Sequence, residues 1–397
     1  MIIATRDKGL RELPDTLWST GTDSVIVSEW EEVRQTLERS PNCVAVIDGE
    51  LPDAELARIR VELPGSHVRG VLWLAAAGTD PERSLLLAPD SLVFETVSKP
   101  ISVDELKYRL MAMLVRVGAP AHVSAWRGKR PEADFDERAG KIVTVFSTKG
   151  GVGKSLIAVN TAVGLARLYR EKVLLVDADL YYGDMLALLD ASTQYTIADV
   201  CNRQMHDVES LLAATTSHSS GISILPRPPA FERVDLLNKQ VLLDALRSYR
   251  RLFDHVIVNM STPLDELNLS LLDLSDRTLL VLTPEIPSIQ NTGRFIEIAE
   301  KLGLIEQTSV ILNRADTGID RQILEQRLAC GIACSIRSSG RLLVQATNEG
   351  SSLFTRDAHM RHEITREMAA VVELVAGRRR PKRDFLTRIS SLLRRAA

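Results

Sequence analysis

The 397-residue sequence has few of the features that mark membrane, secreted or metal-cluster proteins. It contains no run of about 18 apolar residues, which a transmembrane helix needs. Its first residues lack the basic region and the long apolar core of a signal peptide. The four cysteines fit no zinc-binding spacing, and the seven histidines are scattered. We therefore expect a reduced, cytoplasmic protein, and we interpret Cys330 and Cys334 as buried thiols rather than as a metal or redox pair.

An excess of charge of one sign is also absent. The formal net charge is −3, so the chain as a whole gives no electrostatic reason to expect binding to nucleic acid. Basic residues are nevertheless concentrated at the C-terminal end. Hydrophobic residues make up 45% and charged residues 25% of the chain, as in ordinary globular proteins. The length predicts two or three domains.

A glycine-rich segment carries the strongest functional signal. Residues 149–155 read K-G-G-V-G-K-S, shortly after an apolar run at 142–146 and before a helical pattern at 155–169. A strand, a glycine-rich turn and a helix are the context of a phosphate-binding loop, because the glycines let backbone N–H groups converge on an anion. We expect Lys154 to reach the β- and γ-phosphates and the Ser155 hydroxyl to ligate Mg²⁺. The nucleotide-binding residues predicted from this segment are Lys149, Gly150, Gly151, Val152, Gly153, Lys154, Ser155 and Leu156.

Two carboxylates follow the next apolar run. Residues 172–177 predict a strand, with Asp177 and Asp179 at its end. Since the carboxyl ends of parallel strands share one edge with the phosphate-binding loop, both side chains are expected to face the phosphates. A carboxylate at this place can orient water for in-line attack on the γ-phosphate. Solvated acids at the end of a strand are the alternative.

A third apolar strand, at residues 253–259, ends in Asn259, where an acid usually holds the Mg²⁺ shell through water. An amide brings no charge to the metal. Nucleotide binding is expected to survive, because backbone N–H groups and Lys154 provide most of it, whereas hydrolysis is expected to be slow. On this interpretation, changing Asn259 to Asp raises turnover. A nucleotide-binding module without hydrolysis is the alternative.

The first 118 residues alternate short apolar runs with helical patterns, which favours a parallel sheet with helices on both faces. Asp48 ends the third apolar run, and Lys99 follows the fifth. The expected strands are at 2–5, 24–27, 44–47, 70–75 and 92–97, and the expected helices include 29–39 and 103–115.

The glycine-rich loop, with its extra lysine before the glycine pair, resembles the deviant P-loop of the MinD/ParA ATPase superfamily. The resemblance implies an ATP site in which Lys149 reaches across a homodimer interface to the nucleotide of the partner subunit. It also implies that Asp179 polarises the attacking water and that Asp177 supports this water or Mg²⁺. Asn313 would read the adenine edge, with Arg314 near the base or ribose. A simple turn at these last two residues is the alternative.

The N-terminal region resembles a response-regulator receiver domain. Asp48 corresponds to the phosphoacceptor position, and Lys99 to the position of the receiver's lysine. However, Thr5-Arg6-Asp7 replaces the paired acidic residues expected after the first strand. Phosphoryl transfer needs Mg²⁺ to neutralise charge at the acceptor. We therefore favour a degenerate receiver used for docking or dimerisation over a phosphorylated one.

Together these motifs make the chain similar to the CpaE/TadZ family of pilus-assembly ATPases. The resemblance implies two doubly wound, three-layer α/β domains. A receiver-like, flavodoxin-like domain at 1–118 and a linker at 119–139 would precede a MinD/ParA-type P-loop NTPase domain at 140–376. The implied function is a slowly hydrolysing dimeric switch that localises Flp/Tad pilus or secretion proteins at the membrane or pole. A septum-site regulator, a ParA-like partitioning ATPase and a non-hydrolysing scaffold are the alternatives.

The last residues, 377–397, combine a basic hinge with a short amphipathic pattern. One helical face carries Phe385, Leu386, Ile389, Leu392 and Leu393, and arginines lie elsewhere. Such a helix suits the anionic surface of the inner membrane, and two copies in a dimer bind far better than one. Docking on the protein itself or on a partner is the main alternative. Nucleic acid is the least favoured ligand.

Overall fold

The computed structural model describes residues 2–4, 25–27, 35, 43–62, 68–75, 93–99, 101, 103–117, 139–203, 205, 207–229, 237–338, 340–356 and 359–377. The predicted helix at 29–39 (apart from residue 35), the acidic-pair position at 5–7, most of the predicted linker and the tail beyond 377 lie outside these ranges. The chain divides into two compact units. The first holds Met1–Phe135, Leu264–Asp273 and Ile296–Glu306, and the second holds Asp136–Pro263, Leu274–Phe295 and Gln307–Ala397.

The first unit contains a five-stranded parallel sheet in the order β2-β1-β3-β4-β5. Its strands are β1 (Ile2–Ala4), β2 (Val25–Val27), β3 (Cys43–Asp48), β4 (Val68–Ala75) and β5 (Val93–Ser98), and the helices described beside them are α1 (Asp53–Glu62) and α2 (Val103–Arg116). This is the strand order of flavodoxin-like sheets. The assignment of the unit as receiver-like stays a prediction.

The middle strands of this sheet are buried. Along β3 and β4, the side chains of residues 44–47 and 71–75 are at most 7% exposed. Parallel strands covered on both faces carry such continuous apolar runs, which is why these strands were predictable from sequence.

The second unit contains an eight-stranded sheet in the order β13-β12-β11-β6-β10-β7-β9-β8. Its strands are β6 (Lys141–Phe146), β7 (Val173–Ala178), β8 (Thr216–Ser217), β9 (Ser223–Leu225), β10 (His255–Met260), β11 (Arg277–Leu282), β12 (Thr308–Asn313) and β13 (Ile332–Ile336). The pairs are parallel except that β8 runs antiparallel to β9. The strands carrying the predicted site, β6, β10 and β7, are therefore neighbours that end at one edge.

Helices complete the described part of the chain after residue 139. They are α3 (Lys154–Gly164), α4 (Met185–Leu188), α5 (Ile197–Asn202), α6 (Val208–Ala213), α7 (Lys239–Leu252), α8 (Glu266–Leu274), α9 (Ile286–Lys301), α10 (Arg321–Leu328), α11 (Gly340–Asn348) and α12 (Glu363–Ala376). No helix in the described ranges combines the length and the hydropathy needed to cross a membrane.

Several boundaries differ from those expected. The helix expected at 155–169 is α-helical only to Gly164 and continues as a π-helical turn, Leu165–Tyr169, before Arg170 takes a left-handed conformation at φ 58°. Helix α10 begins at Arg321, where the side chain of Asp320 accepts a hydrogen bond from the N–H of Gln322 and caps the helix. The exposure of Cys330 is intermediate, so the expectation that both thiols are buried holds only for Cys334.

A buried amide ties helix α3 to the segment before α12. The Asn160 side chain, 3% exposed, donates to Leu156 O at 2.8 Å. Its oxygen accepts from Ser352 Oγ at 3.0 Å and from the N–H of Leu353 at 2.9 Å. Buried polar groups must find such partners, so this amide fixes the segment against the helix that follows the glycine-rich loop.

Replacing Asn160 with Ala should destabilise the second unit. The change leaves buried donors at Ser352 and Leu353 without their acceptor, which costs about 1–3 kcal/mol. Urea unfolding followed by far-UV circular dichroism measures the loss. Asn202→Ala, at an exposed position, is the matched control and should stay within about 0.5 kcal/mol of the parent. If the two changes reduced the free energy of unfolding equally, the hydrogen bonds of Asn160 would not be stabilising the second unit.

Candidate functional site

The glycine-rich loop has the backbone shape that anion binding requires. Gly151 and Gly153 have φ values of 75° and 95°, which side chains other than glycine rarely adopt. A Cβ on Gly153 would also lie 2.5 Å from Asn313 Nδ2. Ser147 Oγ donates to Lys149 O at 2.6 Å and helps to hold the turn. Helix α3 begins at Lys154, so its N-terminal N–H groups and dipole act on the same space.

Lys154 is a buried cation at this edge. It is 8% exposed, and its Nζ lies 3.3 Å from Thr262 Oγ1 and 3.9 Å from Asp179 Oδ2. Burial lowers the pKa of the Lys154 ammonium, against the opposing effect of Asp179 and Asp177. A desolvated cation with one carboxylate at this distance is suited to attract phosphate oxygens.

Asp177 and Asn259 form a buried pair beside Ser155. Asn259 Nδ2 donates to Asp177 Oδ1 at 3.0 Å and approaches Ser155 Oγ at 3.4 Å. The N–H of Met185 donates to Asp177 Oδ2 at 3.3 Å. Burial raises the pKa of Asp177 to about 6, and the hydrogen bond from Asn259 opposes this rise. The Asp177 carboxylate is therefore poorly solvated, and it depends on hydrogen bonds from Asn259 and Met185.

These oxygen atoms fit a magnesium ion. Ser155 Oγ and the Asp177 carboxylate are hard oxygen donors, and the buried Asn259 Oδ1 has no hydrogen-bond partner among the described residues. No group of three or more His, Cys, Asp or Glu side chains able to hold a metal occurs in the described part of the chain. Mg²⁺ commonly takes one or two protein ligands, with water and phosphate completing the shell, so this donor set is adequate.

The loop after β7 is held at several points. The N–H of Gly183 donates to Asp179 O at 2.8 Å, and the N–H of Tyr182 donates to Asp179 Oδ1 at 3.2 Å. Arg227 Nε donates to Gly183 O at 2.6 Å. Sequence reasoning did not find Arg227, because it follows a three-residue strand, β9, too short for a periodic signal. These bonds fix Asp179 near Lys154.

Lys149 has a partner within its own chain. Its Nζ forms an ion pair with Glu285 Oε2, and the two side chains are 36% and 45% exposed. The hydrogen bond from Lys149 holds the pKa of Glu285 below its usual range, with Arg314 adding to the effect. The environments of the two loop lysines thus differ: Lys154 is buried, whereas Lys149 is at the surface.

Asn313 and Arg314 bond to the loop backbone. Asn313 Nδ2 donates to Val152 O at 2.8 Å, and Arg314 Nη2 donates to Gly151 O at 3.2 Å. Both residues border a cavity of ≈ 350 Å³, together with Gly153 and Leu156. The cavity adjoins the glycine-rich loop, as a nucleoside site must, and contact of Asn313 with adenine stays a prediction.

The two receiver-position residues are in contact in the first unit. Asp48 is 2% exposed, and its Oδ1 lies 2.8 Å from Lys99 Nζ. Lys99 Nζ also contacts Glu50 Oε2 at 3.0 Å. Burial opposes the charge of Lys99, but the bonds to Asp48 and Glu50 outweigh it and raise the pKa of the ammonium. The preference for a degenerate receiver over a phosphorylated one stays a prediction.

Residues 140–310 match the family model described as AAA domain. The septum site-determining protein MinD of Thermotoga maritima is 29% identical over 178 residues, which span 44% of this chain and 64% of the relative. Together these matches support the MinD/ParA superfamily for this region.

Solved structures show the same fold. A ParA family ATPase from Chlorobium tepidum aligns with a TM-score of 0.55 at 23% identity, over 59% of this chain and 98% of its own. The septum site-determining protein MinD of Pyrococcus horikoshii, complexed with Mg-ADP, aligns with a TM-score of 0.52 at 22% identity, over 59% and 96%. The C-terminal part of the chain therefore has the α/β P-loop NTPase fold of MinD/ParA type.

Gly183 is required by the close approach of Asp177. A Cβ at position 183 would lie 2.2 Å from Asp177 Oδ2, well inside contact distance. Gly183→Ala should therefore displace this carboxylate and weaken the binding of Mg²⁺-nucleotide by about tenfold or more. Titration of a fluorescent ADP analogue with Mg²⁺ measures the change.

The matched control is Gly331→Ala, where an added Cβ meets nothing within 4 Å. That variant should bind as the parent does. If Gly183→Ala also kept full affinity, Asp177 would have no part in the nucleotide site.

Proposed function

We propose that this protein is a nucleotide-dependent dimeric switch that binds ATP with Mg²⁺ and hydrolyses it slowly. The observation that supports this most is the separation of the two loop lysines. Lys154 is buried beside Asp179, whereas Lys149 is at the surface on the same loop. A surface lysine beside a phosphate site can reach a nucleotide bound by a second copy of the chain.

ATP and Mg²⁺ are supported by the donor set and by the likeness to a protein whose structure contains Mg-ADP. Ser155 and Asp177 would hold the ion, which would neutralise charge on the phosphates. Backbone N–H groups of the loop and the ammonium of Lys154 would bind the phosphate oxygens. Asp179 would orient the attacking water. Its carboxylate already accepts the N–H of Tyr182, which helps to hold it in position.

The cellular role is proposed on the resemblance to the CpaE/TadZ family. In that proposal the dimer organises pilus or secretion proteins, the receiver-like unit provides docking, and the basic tail binds an anionic membrane. The second candidate is a septum-site or partitioning ATPase, which the relatives' names favour. Liposome flotation and DNA-shift assays on the full chain separate these candidates.

Lys149→Ala and Lys154→Ala should have different effects. Without Lys154, Mg²⁺-ATP binding should fall by about 10- to 100-fold, because a charge-assisted bond in a desolvated site is lost. Without Lys149, ATP binding by the single chain should stay within about threefold of the parent, but ATP-dependent dimerisation should be lost. Fluorescent-nucleotide titration and sedimentation velocity measure the two properties. Lys301→Ala, at an exposed position, is the control. Normal dimerisation of Lys149→Ala would refute the proposed role of this lysine.

Glu285→Gln should favour the dimer. The change keeps the shape of the side chain but removes the ion pair that holds Lys149 within its own chain. Because this pair is exposed, dimer affinity in ATP should rise by only about two- to fivefold, and salt should reduce the difference. Sedimentation at low and high salt measures it, with the exposed Glu306→Gln as the control. A weaker dimer would mean that Glu285 supports the interface.

A further inference from the structure

The residue at the metal-side position of β10 has a specific partner on the neighbouring strand. Asn259 on β10 is directly opposite Asp177 on β7 in the parallel register. Its Nδ2 donates to Asp177 Oδ1 at 3.0 Å and lies 3.4 Å from Ser155 Oγ. One amide thus contacts both of the oxygen groups that would hold Mg²⁺.

Because both residues are buried, the hydrogen bond between Asn259 and Asp177 cannot be exchanged for one to water. Asn259 is 0% and Asp177 1% exposed, so water cannot replace a lost hydrogen bond. Asn259 Oδ1 has no hydrogen-bond partner among the described residues. A buried oxygen without a partner is costly and points to a ligand or a bound water that satisfies it.

We infer that Asp177 and Asn259 act as one acid–amide pair, in which the acid of the magnesium site lies on β7 and Asn259 is its positioning residue. Asn259 holds the carboxylate of Asp177 and the hydroxyl of Ser155 in one orientation through Nδ2. Its Oδ1 is left to accept from a water of the metal shell. This inference rests on the proposed nucleotide-binding function. In this interpretation Asn259 is not a replaced acid but a hydrogen-bond donor that the site requires.

The pair predicts the opposite of what sequence alone suggested for Asn259→Asp. An aspartate at position 259 would place a second buried carboxylate about 3 Å from Asp177 and remove the donor between them. Asp177 Oδ1 and Ser155 Oγ would lose the N–H group that both of them contact, and Asp177 would lose a buried hydrogen bond. The substitution should therefore disturb the free site and should not improve hydrolysis.

Three variants of the full chain test the inference. Asn259→Asp creates the carboxylate pair. The exchange Asp177→Asn with Asn259→Asp keeps one acid and one amide in contact. Asn160→Asp is the matched control, because Asn160 is a buried amide that bonds to Leu156, Ser352 and Leu353 rather than to a carboxylate. Thermal unfolding without nucleotide or Mg²⁺, and titration of a fluorescent ADP analogue with Mg²⁺, are measured for each.

We expect Asn259→Asp to lower Tm by several degrees and to weaken Mg²⁺-nucleotide binding by about tenfold or more. The exchange variant should recover Tm, because one acid and one amide are again in contact, but it should still bind Mg²⁺-nucleotide about tenfold more weakly than the parent, since its acid lies on β10 rather than on β7. Asn160→Asp should lower Tm while leaving nucleotide affinity unchanged.

Two results would overturn the inference. One is an Asn259→Asp protein that binds nucleotide as tightly as the parent and hydrolyses ATP faster, which would make Asn259 a weakened acid. The other is an exchange variant whose Tm is as low as that of Asn259→Asp, which would mean that the acid and the amide do not act as a pair. If the parent chain itself bound no nucleotide, the proposed function would fail, whereas the Tm comparison would still decide whether the acid–amide pair exists.

Discussion

The candidate site depends on one constraint: a cation and a carboxylate are both buried away from water at the same edge of the sheet. Lys154 and Asp177 are both buried where β6, β10 and β7 end. Burial lowers the pKa of the lysine and raises that of the carboxylate, so each group is poorly solvated in its charged form. A nucleotide with its metal would supply the missing counter-charges: phosphate for the ammonium, cation for the carboxylate. The free energy cost of burying these two charges therefore falls at a place where a bound ligand could offset it.

Local patterns in the sequence were enough to predict the strands, the loop and the helix that position this site. The glycine-rich loop, the strand before it and the helix after it are contiguous, and the acids of β7 follow an apolar run of ordinary strand length. The longer parallel strands, such as β3, β4, β6 and β7, were predictable for the same reason, since buried strands carry unbroken apolar runs. Short elements such as β8, β9 and α6 were not predicted, because they contain too few residues to show a periodic pattern of apolar side chains.

The contacts that decide the chemistry are long-range, and sequence reasoning could not supply them. Asn259 and Asp177 are 82 residues apart, Arg227 and Gly183 are 44 apart, and Lys149 and Glu285 are 136 apart. Asn259 illustrates the consequence. Considered alone, it is an acid replaced by an amide. Beside a buried carboxylate, the same amide donates a hydrogen bond that an ionised acid could not donate.

The environments of Lys149 and Lys154 suit different tasks. Lys154 is buried, so moving it away from the edge would leave Asp179 and Asp177 without their cation. Lys149 is paired at the surface, where water solvates both partners when they separate and the pair contributes little. In the proposed dimer, breaking the Lys149–Glu285 pair would therefore cost little, and a phosphate oxygen of the partner's nucleotide would compete for the lysine. The proposed switch needs one cation that stays with its own nucleotide and another that can move to the partner's nucleotide, and the burial of Lys154 together with the exposure of Lys149 is consistent with both needs.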